Sequence, residues 1–199
     1  MGASRERCNG CGYAPRVCLC AWVQPQPLPV PVVILQDALE RRSAKSTVPL
    51  LQLALPQVEV IGADDAAAVE RLKARVLSEP EVWGLVYPTA DSHSMEKEAA
   101  RRQTVWPTAW LFLDGTWKKT RRLLHEHSWL ADVPSYRFSQ APLSGYHIRK
   151  VPNAVACSTL ESVAWVLQIT QDFEVAPLYE LQRHFVLSWQ RFQPAAHQR

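Results

Sequence analysis

The sequence predicts an α/β fold, a mostly parallel sheet with helices on both faces, with a small N-terminal cysteine-rich metal module in front of it. Short apolar, β-branched runs alternate with stretches of helical periodicity. Four of the five cysteines crowd into residues 8–20, and a proline-rich segment separates them from the rest. With 199 residues, 47% of them hydrophobic, the chain can bury a full core and suits one domain with an appendage.

The cysteines are spaced Cys8-x2-Cys11-x6-Cys18-x-Cys20 within residues 1–24. Two close thiol pairs joined by a short loop suit a tetrahedral zinc site, and Gly10, Gly12 and Pro15 supply the turns it needs. The alternative is a set of unliganded, oxidation-sensitive thiols. A closed four-ligand site is structural, so chemistry must lie elsewhere. Residues 25–31, with prolines at 25, 27, 29 and 31, read as a stiff extended linker. The main domain then occupies residues 32–199.

Within it, residues 32–36, 58–61, 82–87, 109–113 and 135–138 read as strands. Helical spacing appears at 42–55, where Pro49 demands a boundary or a kink, and at 66–77, 116–130 and 178–192. Residues 89–98 read as a polar loop. Ser158-Thr159-Leu160-Glu161 matches a capping box ahead of an apolar run, so a helix should begin at Thr159.

The segment AWLFLDGTWKKTRR, residues 109–122, points most directly to a site. An apolar strand runs into Asp114-Gly115-Thr116-Trp117 and then into Lys118, Lys119, Arg121 and Arg122. Ligands of open α/β sheets settle at the carboxyl ends of strands, where a carboxylate, a glycine turn and a helix start face one crevice. The alternative is that Asp114 only caps the following helix and the cations are solvated. A second cluster, Ser144 to Pro152, mixes Tyr146, His147, Arg149 and Lys150 just before the helix start at Ser158. Tyr146 could stack on a base there, while Arg149 and Lys150 could meet phosphates.

The formal charge is +3, but the cations are bunched, which allows local binding of a phosphate backbone. No apolar run approaches the ~20 residues of a membrane span. The start MGASRERCNG lacks the apolar stretch of a signal peptide, so the expected location is the cytoplasm, with no membrane partner.

Asp114-Gly115-Thr116-Trp117 matches the Asp-x-Thr-Trp signature of the DTW-domain family, and Tyr146, Arg149, Pro152 and the Ser158 to Glu161 series resemble that family's second block. The cysteine cluster before a proline-rich link, residues 36–51, and Tyr87-Pro88 are similar to its other landmarks, in its order. The resemblance implies a tRNA-uridine aminocarboxypropyltransferase with a SPOUT-like fold and a C-terminal trefoil knot. It implies S-adenosylmethionine as donor of a 3-amino-3-carboxypropyl group to uridine N3 in tRNA, with methylthioadenosine released and no protein partner required.

On that basis Asp114 is the candidate general base. Leu85, Tyr87, Pro88, Asp114, Gly115, Thr116, Trp117, Ser158 and Thr159 are the candidate donor-binding residues. Lys118, Lys119, Arg121, Arg122, Tyr146, Arg149 and Lys150 are the candidate RNA-binding residues. The chain departs from the family pattern at Gln36-Asp37-Ala38, usually Gln-His-Pro, and at Ser46-Thr47, usually Asn-Thr. Two other readings are an RNA methyltransferase using the same donor and a non-catalytic, zinc-dependent RNA-binding protein.

Overall fold

The computed structural model describes residues 6–101, 103–148 and 157–191. Its sheet holds β1 (Val32–Gln36), β2 (Glu59–Gly62), β3 (Trp83–Val86), β4 (His93–Ser94), β5 (Ala109–Asp114) and β6 (Ser135–Arg137). All pairings are parallel, in the order β2-β1-β5-β3-β6-β4. The helices are α1 (Val48–Ala54), α2 (Ala66–Ser78), α3 (Met95–Ala100), α4 (Trp117–Glu126), α5 (Thr159–Gln171) and α6 (Ala176–Gln190).

Period-two alternation along the central strands divides the core. Val32 and Ile34 of β1, with Trp110 and Phe112 of β5, face α1, α5 and α6. Val33, Leu35, Ala109 and Leu111 face α2 on the other side. Helices therefore cover both faces, as the continuous apolar strands require. Trp110 is fully buried, and a Cβ on its register partner Gly84 would stand 2.5 Å from the indole ring.

The differences from the sequence reading are local. β4 and α3 fall in and just after the stretch read as a polar loop, because two residues of strand and a helix burying only Met95 leave no periodic signal. The helix expected over 42–55 is a 3-10 turn, Glu40–Arg42, followed by α1, whose first turn takes Pro49. α4 stops at Glu126 and a 3-10 turn, Ser128–Asp132, completes the segment. α5 begins at Thr159 behind a complete Ser158/Glu161 capping box.

The cysteine segment packs onto α6. Cys11 and Leu19 are buried in the core that includes α6, the Tyr13 and Phe185 rings lie 5.7 Å apart, and Trp22 stacks on His184 at 3.3 Å. The proline-rich stretch is tied down by two bonds of 2.8 Å, from Gln26 N–H to the Ala54 carbonyl and from Leu28 N–H to Gln57 Oε1. No helix among the described residues is long and apolar enough to cross a membrane.

The chain leaves β1 toward β2 at one edge and leaves β5 toward β6 on the other side. Adjacent strands whose connections depart in opposite directions open a crevice above their carboxyl ends. Here those ends are Gln36 and Asp114, directly paired in register.

Candidate active site

Asp114 shares the strand face of Trp110 and Phe112, so its carboxylate turns toward α5. Its Oδ2 accepts a 2.9 Å hydrogen bond from Gln36 Nε2, and its Oδ1 accepts one from the Thr159 hydroxyl at the first residue of α5. Asp114 is only 7% exposed. The carboxylate thus joins the adjacent strands β1 and β5 and a helix N-terminus, a position that favours negative charge. Thr116 is the N-cap of α4 and makes no side-chain capping bond.

Beneath this group lies a buried acidic pair. Asp37 Oδ2 accepts a 2.6 Å bond from Arg122, and Lys119 Nζ reaches Asp37 at 3.3 Å and Glu40 at 2.8 Å. Burial pushes the Asp37 carboxyl up, but the Leu39 and Glu40 amides and the Lys119 ammonium outweigh it and hold it below the usual value. Lys119 is raised, chiefly by its bond to Glu40. Gly115 lets α4 approach this closely, since a Cβ there would lie 3.1 Å from Lys119 Cβ and 3.6 Å from Asp37 Cβ. The departure at Asp37 therefore locks α4 against the end of β1.

A cavity of about 340 Å³ opens above the ends of β3, β5 and β6. Tyr87, Pro88, Trp117 and Tyr136 supply much of its apolar wall, and Gly115, Thr159 and Ser162 bring polar groups. The rings of Tyr87 and Trp117 are 6.2 Å apart. Arg137 also lines the cavity and donates to the Ser92 carbonyl and hydroxyl. Below it, Glu96 accepts bonds from Ser139 N–H and Oγ at 2.8 Å and from Trp165 Nε1 at 3.2 Å. Burial raises Glu96, but these donors hold it down to about 2.

Of the candidate donor-binding residues, Tyr87, Pro88, Gly115, Trp117 and Thr159 line this cavity and Asp114 sits behind Thr159. Leu85 does not reach it. Its side chain is buried in the opposite, α2-side core because β3 alternates. Thr116 is exposed, and Ser158 is occupied as the α5 cap, also donating to Gln182 Oε1 at 2.6 Å. Sequence reasoning missed Tyr136, Arg137 and Glu96. Gln36, a polar residue closing a buried apolar strand, carried a readable signal.

Among the candidate RNA-binding residues, Lys118 and Arg121 are exposed on α4, whereas Lys119 and Arg122 are engaged by Asp37. Tyr146 is not a stacking platform. It is 5% exposed, packed in the main core, with its hydroxyl donated to the Lys45 carbonyl. Glu161 holds that loop in place, accepting from Ser144 Oγ and Gly145 N–H at 2.8 Å and from Gln182 Nε2 at 2.7 Å. Arg149, Lys150 and Pro152 lie outside the described residues.

The four cysteine sulfurs lie within 4.8 Å of one another. Cys8–Cys20, Cys8–Cys18 and Cys11–Cys18 separations are 3.5, 3.6 and 3.7 Å. Tetrahedral zinc with bonds near 2.3 Å needs sulfur separations of roughly 3.8 Å, so the donor set fits and could hold a metal such as zinc. A Cβ on Gly10 would meet Cys20 Sγ at 2.8 Å, and Gly12 turns the chain at φ 74°. The Cys11 and Gly10 amides aim at Cys8 and hold its thiol down to about 6. Cys157 is separate from the cluster, half-buried, and pushed up to about 12 by burial.

The profile of the DTW domain matches residues 5–193. The protein named tRNA-uridine aminocarboxypropyltransferase 2 of Macaca fascicularis is 27% identical over 172 residues, covering 84% of this chain and 57% of that protein. The protein of the same name from Mus musculus matches with the same identity and coverage. The chain spans little more than half the length of these curated relatives. No solved structure gives a significant match. With the family's profile running across nearly the whole chain and its Asp-x-Thr-Trp residues gathered at the strand switch point, the chain belongs to the DTW domain family.

Proposed function

We propose that the chain is a tRNA-uridine aminocarboxypropyltransferase, moving the 3-amino-3-carboxypropyl group of S-adenosylmethionine to N3 of a uridine. The observation that carries this reading is the Asp114 carboxylate, set at the strand switch point and bonded to Thr159, which itself lines the adjoining cavity. The names of the two relatives support the substrate class.

The cavity suits the donor. Its aromatic walls match an adenosine, and the first turn of α5, with Thr159 and Ser162, suits a carboxylate. Bound S-adenosylmethionine would supply an electrophilic Cγ beside its sulfonium, with methylthioadenosine as leaving group. Uridine N3 gives its proton to Thr159 Oγ1 while Thr159 passes its own to Asp114 Oδ1, so Asp114 is the base through one hydroxyl. N3 then bonds to Cγ as the Cγ–S bond breaks. Gln36 keeps the carboxylate aimed at Thr159.

Lys118 and Arg121 meet tRNA phosphates from the exposed side of α4. Zinc on Cys8, Cys11, Cys18 and Cys20 is structural in this reading, and the site of action is wherever tRNA is modified, the cytoplasm. A SPOUT-like C-terminal trefoil knot belongs to the same reading, supported by the family resemblance and the all-parallel sheet.

The test is incubation of unmodified tRNA with the protein and carboxyl-labelled S-adenosylmethionine, followed by nucleoside mass spectrometry. Uridine is expected to gain C4H7NO2 and to retain the label. A gain of CH2 would make the chain a methyltransferase, and no transfer at all would end the enzymatic reading.

A further inference from the structure

A second large concavity lies away from the donor cavity. It is a groove of about 1040 Å³, some three times the donor cavity's volume, between the cysteine segment, the 41–46 segment after β1 and the end of α6. Its charge is one-sided: among the described residues, Arg7, Arg16, Arg41, Arg42 and Lys45 line it with Glu6 as the one carboxylate. Arg42 is exposed and has no acidic partner among the described residues, while Arg41 pairs with Asp64 at 2.8 Å. Tyr13 and Trp189 add half-buried aromatic surface, and Lys45 Nζ stands 5.5 Å from the Trp189 ring.

This groove adjoins the Asp114 centre through buried side chains. Ser46, on its wall, accepts a 3.4 Å bond from Gln36 Nε2, the same amide group that holds Asp114 Oδ2 at 2.9 Å. Positive charge tracking a backbone, with rings for bases to lie against, is the composition that binds a nucleic-acid strand. An acidic peptide would use the cations but leave Tyr13 and Trp189 without a role.

We propose that this groove holds the RNA strand flanking the modified uridine, with its phosphates on Arg16, Arg42 and Lys45 and its bases against Tyr13 and Trp189. The proposal rests on the reading of the chain as an RNA-modifying enzyme. It gives the cysteine segment a function beyond folding, since that segment forms one wall of the groove.

The experiment compares wild type, Arg16→Ala/Arg42→Ala and Lys118→Ala/Arg121→Ala for binding of labelled unmodified tRNA across a salt series, with S-adenosylmethionine affinity by calorimetry and thermal midpoint measured alongside. The groove pair is expected to bind tRNA at least tenfold more weakly at low salt. Its slope of log K against log salt should fall by about 0.7–0.9 for each phosphate that is no longer neutralised. Donor affinity and thermal midpoint should stay at wild-type values.

If wild type binds tRNA with a steep salt slope and the groove pair does the same, the groove proposal is overturned while the functional reading stands. Weaker affinity with an unchanged slope would mean a structural defect and also overturns it. Competition by polyglutamate as strong as that by tRNA assigns the groove to acidic peptides instead. Absence of salt-dependent tRNA binding by wild type removes the functional reading itself.

Discussion

Gln36 Nε2 and Asp114 Oδ2 lie 2.9 Å apart across the β1/β5 register, joining residues 78 positions apart in sequence. The bond presents one oxygen of a buried carboxylate to an amide and leaves the other to Thr159. Asp114→Asn keeps the shape but removes the proton acceptor. Its kcat is expected to fall by roughly 10²–10⁴-fold, while donor affinity by calorimetry holds. Thr159→Val should share the kcat loss and Thr159→Ser should recover most of it. Full activity in Thr159→Val would remove the hydroxyl relay.

The cysteine cluster predicts one tightly held metal per chain, read by native mass spectrometry. Stripping it with a strong chelator is expected to cost about 3 kcal/mol, the scale of a missing structural cross-link. At this chain length that is a fall in Tm of roughly 6–12 °C. Cys11→Ser should match the stripped protein, because Cys11 is the buried member of the four. A metal-free wild type with the same Tm would refute the structural assignment.

Glu96, held down to about 2 by the Ser139 donors and Trp165 against an unfolded value near 4.5, contributes stability that is full above about pH 5. That contribution is lost as pH falls from 5 toward 2, since the unfolded chain takes up the proton first. Glu96→Gln is expected to cost about 2 kcal/mol at pH 7, screened by its partial exposure. Denaturation curves of the two proteins should converge as the pH falls through that window. A constant gap down to pH 2 would contradict the assignment.

Gly84→Ala tests the close packing of β3 on β5. The added methyl would stand 2.5 Å from the Trp110 ring and 2.9 Å from Pro107, in a region with no space to yield. A loss of about 1–3 kcal/mol is expected, read as an earlier chemical denaturation midpoint with an unchanged slope.

What is legible in the sequence follows from the range of the forces involved. The apolar runs at 32–36 and 109–113 announce β1 and β5 because burial on both faces leaves an unbroken hydrophobic stretch. Ser158 and Glu161 announce the start of α5 because a capping box spans only three residues. β4 leaves no trace, since its pairing depends wholly on β6. Asp114 can be located from its position after β5, but its bonds to Gln36 and Thr159 cannot, because neither is local. Tyr146 misleads for the same reason. Its ring packs in the main core and its hydroxyl partner, the Lys45 carbonyl, is 101 positions away.

The separations of 78 and 45 positions that link Gln36, Asp114 and Thr159 also govern when the centre comes into being. A nascent chain emerging from the ribosome cannot assemble it until the start of α5 has been synthesised and folded back on strands made long before. Competence thus arrives late, once the start of α5 has closed over the carboxylate.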